Sequence, residues 1–142
     1  MQFVETADTI EKRAMDVCRR WPKSYTFIIT AHTVELASRL YEHVLCANAI
    51  IPKTEAERTE RIIQLEKALG ANYGFARKIE RAFSLFPICG EKKDLSPDAL
   101  QEKSGRILQE FMMLCAEEED ALRGNIHYTR SIDLTTGKSK TE

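Results

Sequence analysis

The stretch from Trp21 to Asn48 constrains this chain more than any other. Pro22 breaks whatever precedes it, and Ser24 can cap the next helix. From Ser24 to Ala49 the chain runs without Gly or Pro, enough for about seven helical turns. Ile29, Leu36, Leu40, Val44 and Ala47 form one apolar stripe, and Val34, Ala37, Tyr41 and Leu45 form a second beside it. A helix with so wide an apolar surface has to be covered by other helices. The expectation is an all-α fold.

The rest of the 142-residue chain reads the same way. Phe3, Ala7, Ile10, Ala14, Val17 and Trp21 make a seam at three-four spacing, so a first helix begins near Val4 and ends at Trp21-Pro22. Ile51-Pro52-Lys53 is a short turn, and Thr54-Glu55-Ala56-Glu57 fits a capping box at the start of a third helix. That helix carries Ile62, Leu65, Leu69, Tyr73, Ala76, Ile79, Phe83 and Phe86. Gly70 and Gly74 interrupt it, marking a bend or a flat patch where another helix approaches closely. After a loop over 87–95, Ser96-Pro97 opens a fourth helix that reaches about Arg123, with Leu100, Ile107, Phe111, Leu114, Cys115 and Leu122 inward. From Gly124 the pattern stops. Short connections give an antiparallel, up-down-up-down four-helix bundle over 1–127, then a short irregular, extended tail over 128–142.

Composition narrows the function. Lys plus Arg number 21 against 22 acidic residues, a net charge of −1, so the total does not point to nucleic acid. The distribution says more. Residues 12–23 hold five cations against Asp16 alone, and 110–120 hold five acids and no base. Up-down order brings Arg19, Arg20 and Lys23 beside Arg77, Lys78 and Arg81, with Arg13 on the same helix, and sends Glu117–Asp120 to the other end. Charge runs are ordinarily solvated faces that complement the helix macrodipole. The functional alternative is a basic end that meets phosphates, or opposite ends that match between subunits. Trp21, Tyr25 and Phe27 can stack on bases, although such residues more often staple a helix–helix turn.

Chemistry tests come out negative. None of His32, His43 or His127 comes three residues after a Glu, as carboxylate-bridged metal bundles require. His43 and Cys46 are half a zinc site with no second pair, and Gly137-Lys138-Ser139 lacks the Gly that a phosphate-binding loop needs at Ile132. No catalytic residue, cofactor or metal is expected. Cys18, Cys46, Cys89 and Cys115 are scattered and expected to be free thiols of a cytoplasmic protein. No apolar run is long enough to cross a membrane.

Trp21-Pro22-Lys23-Ser24-Tyr25-Thr26-Phe27 before an unbroken helix resembles the F-P-K-s-x-R-F motif of a bacterial four-helix-bundle family. That family comprises proteins of ribosomal-RNA intervening sequences and the accessory variability determinants of diversity-generating retroelements. The layout continues through Asn48-Ala49 and the Glu57, Arg58 and Arg61 opening of helix three. Lys23 matches the motif's cation. Thr26 stands where the family has Arg, Ala31-His32 where an Asp-Arg pair is frequent, and Leu122-Arg123-Gly124-Asn125 where it has Gly-Trp. The resemblance implies a non-catalytic cytoplasmic accessory protein, assembled as a ring, often a pentamer, that binds a reverse transcriptase and RNA or DNA through a basic surface. The alternative is a protein-only homo-oligomeric scaffold that associates along the Gly70 and Gly74 surface.

Overall fold

A computed structural model describes residues 2–21, 23, 29–85, 96–134 and 138–139. The fold is helical: α1 (Gln2–Cys18), α2 (Ala31–Ala49), α3 (Glu55–Leu85) and α4 (Pro97–Arg130). The helix pair α1 and α3 both pack on α2 and on α4, around one core that includes Phe3, Ile10, Leu40, Leu65, Phe75 and Phe111. Phe75 and Phe111 meet edge to face, with ring centroids 5.7 Å apart. No helix among the described residues is long and apolar enough to cross a membrane.

The starts of α3 and α4 are the ones that the side chains dictate. The Glu57 amide donates to Thr54 Oγ1 at 3.2 Å, and the Thr54 amide donates to Glu57 Oε1 at 3.1 Å, closing the capping box in both directions. Ser96 Oγ accepts from the Ala99 amide at 3.2 Å, with Pro97 just inside. Helix α1 starts at Gln2, two residues before the expected Val4, and ends at Cys18 in a turn through Arg19 and Arg20. Residues 24–28, expected to open the second helix, lie outside the described residues, as do Phe86 and the loop over 87–95.

Two expectations are corrected. The inward line of α3 is Arg61, Leu65, Ala68, Asn72, Phe75, Ile79 and Phe83. Ile62, Leu69 and Ala76 are half-buried beside it, and Tyr73 is exposed. Two lines one residue apart, sharing Leu65, Ile79 and Phe83, compete on this helix. The one that won carries two polar side chains, each given partners inside. Arg61 Nη1 donates to the carbonyls of Ala47 (2.6 Å) and Ile50 (3.0 Å), and its Nε to Thr129 Oγ1 (3.2 Å). Asn72 Nδ2 donates to the Cys115 carbonyl at 2.9 Å.

The second correction concerns α4, which does not stop at Arg123. It runs through Gly124 to Arg130, taking in residues 128–130 that were expected in the tail. Leu122, Ile126 and Thr129 are buried along one face, whereas Gly124 is exposed with open space around it, so the core face continues past the glycine. Beyond the helix, Ile132–Asp133 pairs antiparallel with Lys138–Ser139. Ile132 is buried and its carbonyl accepts from Arg58, so the chain just after α4 is docked on the bundle.

Arg61 donates to two carbonyls at the end of α2, that of Ile50 and that of Ala47, which also accepts from the Ile50 amide at 3.2 Å. Arg61→Met should therefore destabilise the fold by about 3 kcal/mol, read as a lower urea midpoint at an unchanged slope.

Candidate nucleic-acid interface

The cationic end is assembled by one apolar contact. Trp21, just past α1, is buried against Phe83 near the end of α3, ring centroids 6.2 Å apart at 72°. This joins the turn after α1 to the end of α3 that carries Arg77, Lys78 and Arg81, although the two helices lie across the bundle from each other, each packed on α2 and α4. Arg77 and Arg81 are exposed, Lys78 is half-buried and Lys23 is exposed. Arg77, Glu80, Arg81 and Ser84 line a shallow depression, and Lys78 and Arg81 share another with Ile29, Ala82 and Leu85.

The cations of α1 are partly neutralised within the chain. Asp16 takes Arg19 at 2.8 Å and Arg20 at 3.3 Å. Arg13 pairs across to Glu110 of α4 at 2.6 Å and lines a groove with Met113, Leu114 and Glu117. That groove is about two turns back along α1 from Arg20. These pairs are exposed and worth little, so a phosphate can displace them at small cost. Trp21 is turned into the core and presents no face for a base; Tyr25 and Phe27 lie outside the described residues.

Gly70 and Gly74 sit differently on α3. A Cβ at Gly74 would stand 3.3 Å from Leu36 Cδ2, so that glycine serves the approach of α3 to α2 within the chain. Gly70 is exposed and faces nothing within 4 Å.

The acidic run of α4 is divided. Glu117 and Asp120 are exposed. Glu119 Oε1 accepts from Tyr73 Oη at 2.6 Å and from Arg123 Nε at 3.1 Å. The Tyr73 hydrogen bond and then Arg123 hold its carboxyl below the usual range. Arg123 also donates to Tyr73 Oη and lies 6.0 Å above its ring, joining α3 to α4 at the surface. Glu118, expected among the charges of the acidic end, is fully buried. Its position was visible in sequence, because 111, 115, 118 and 122 keep the inward spacing.

Cys18, Cys46 and Cys115 are free thiols; Cys89 lies outside the described residues. His43 Nδ1 is 2.9 Å from Gln64 Oε1. Among the described residues no group of three or more His, Cys, Asp or Glu side chains is placed to hold a metal.

The two glycines should respond differently to a methyl group. Gly70→Ala, in open space on a helix, should add about 1 kcal/mol of stability. Gly74→Ala should add less, because Leu36 has to give way; thermal melts of both variants would check this. Comparison with protein-family models, with curated proteins and with solved structures found no match.

Proposed function

We propose that this chain is a non-catalytic accessory protein that binds nucleic acid, RNA or DNA, through the basic end, in partnership with a reverse transcriptase of a retroelement. The observation that supports the reading is the Trp21–Phe83 contact, which joins the turn after α1 to the last turns of α3, the two segments whose cations the reading uses. An antiparallel up-down-up-down arrangement fits the same set of contacts. Asn72 bonds to Cys115 and Arg61 to Thr129, while His43 meets Gln64 and Arg61 meets Ala47. In each helix pair, numbers rise on one helix as they fall on the other. The short Pro22-Lys23-Ser24 motif supports the retroelement class.

Contacts of this kind are to phosphates, and each releases counterions. Affinity for a labelled RNA or duplex DNA should fall about a hundredfold between 50 and 200 mM salt if four or five phosphates are engaged. Arg77→Glu combined with Arg81→Glu should remove binding at unchanged helicity. Asp16→Asn, which removes the carboxylate that pairs with Arg19 and Arg20, should strengthen it. No retention of either polynucleotide at low salt would end the proposal.

A second reading is a homo-oligomeric scaffold, a ring such as a pentamer, without nucleic-acid binding. Apolar side chains left in water favour it: Met113 and Met15 are 58% and 46% exposed, and Met113 lines the Arg13–Glu117 groove. Gly70 offers a smooth surface on α3. Sedimentation velocity should then show one species several times the 16.3 kDa chain mass. A monomer at micromolar concentration would remove this reading and leave the first.

A further inference from the structure

Glu118 is the interior side chain for which a phosphate-binding end has no use. It lies on the buried line Phe111, Cys115, Glu118 and Leu122 of α4, is 0% exposed, and neither of its carboxylate oxygens has a hydrogen-bond partner among the described residues. One turn earlier, the Cys115 carbonyl accepts from Asn72 Nδ2, so the α3 side chain reaching this seam directs one of its two amide hydrogens to the α4 backbone. Asn72 Oδ1 is buried without a partner as well. The seam thus holds three acceptor oxygens lacking a donor. An ionised carboxylate there loses its hydration and gains nothing in return. A carboxyl that keeps its proton removes the charge and supplies a donor.

No neighbouring charge offsets this. The buried faces of α1 and α2 offer Cys18 as their one titratable group. That of α3 offers Arg61, which is committed to Ala47, Ile50 and Thr129. Thr129 is about three turns along α4 from Glu118. On α4 itself the Cys115 thiol senses Glu118, and burial followed by that charge pushes it up to about 12. Burial pushes the Glu118 carboxyl from an ordinary 4.5 up to about 8.

We propose that the seam between α3 and α4 is a proton-operated latch: α4 seats with Glu118 protonated, and the seam opens when that proton leaves. Opening lets water reach the Glu118 carboxylate and exposes Cys115 beside it. Linkage sets the sign. Between pH 4.5 and about 8 the closed chain retains a proton that the open chain has lost. Closure is therefore strongest below that window, weakens as pH rises through it, and levels off above it.

The test compares the full chain with Glu118→Gln, which is neutral and of the same shape, across pH 5 to 9. The wild-type unfolding constant should rise relative to that of the variant by close to tenfold per pH unit up to about pH 8. Alkylation at Cys115, monitored peptide by peptide, should accelerate over the same range by at least about tenfold more in wild type. Parallel stability curves would overturn the proposal. So would a stability difference without selective exposure of Cys115, since the seam would then open only with the whole fold. If Glu118→Gln does not fold, the infrared band of a protonated carboxyl in wild type at pH 6 decides: its presence supports the latch and its absence overturns it.

Discussion

The guanidinium of Arg61 lies in the interior, 5% exposed, where the end of α2 meets the last turns of α4. A buried cation is tolerated only when its donors are used, and here three are placed on oxygens. Two are carbonyls at the end of α2, where the helix leaves acceptors unpaired and carries the negative end of its dipole. The third is the Thr129 hydroxyl, which itself donates to the Asn125 carbonyl at 2.7 Å. Arg61 thereby joins α2, α3 and α4 and requires α4 to extend as far as Thr129. The docking of Ile132 by Arg58, one turn before Arg61, depends on that extension.

Elsewhere α3 and α4 meet through a different balance. Asn72 reaches a backbone carbonyl that is already part of the α4 ladder, so it adds one bond and leaves an oxygen bare. Glu118 adds two more bare acceptors to the same seam. Burial makes the neutral acid the stable form there, so the acidic run of α4 shows the solvent fewer charges than its sequence implies. At the surface nearby, Tyr73, Glu119 and Arg123 hold the same two helices with charged partners. The difference is solvation, since exposed groups keep their water and their ionisation.

The cationic end is an indirect product of core packing. Trp21 is buried because the indole gains more from contact with Phe83 than from water, and the arginines adjoining it are carried along. Their neighbours then moderate the field, with Asp16 between Arg19 and Arg20 and Glu110 on Arg13. Lys23, Arg77 and Arg81 are exposed.

Local chemistry fixed much of this from sequence alone. A threonine and a glutamate three apart close a capping box wherever they fall, and Ser96-Pro97 starts a helix for equally local reasons. The period of α1 and α2 was legible because each has one dominant apolar face. On α3 the spacing pointed to the face through Ile62, Leu69 and Tyr73, and packing chose instead the one through Arg61 and Asn72. Those residues look like surface until partners on other helices are known. Gly124 looked like a stop, yet Leu122, Ile126 and Thr129 had a core to join and α4 continued. Glu118 keeps the inward spacing of 111, 115 and 122, but that its carboxylate meets no donor among the described residues, and that Trp21 meets Phe83, were decided by tertiary structure. Both depend on which helices lie against one another, and no spacing along a single helix carries that information.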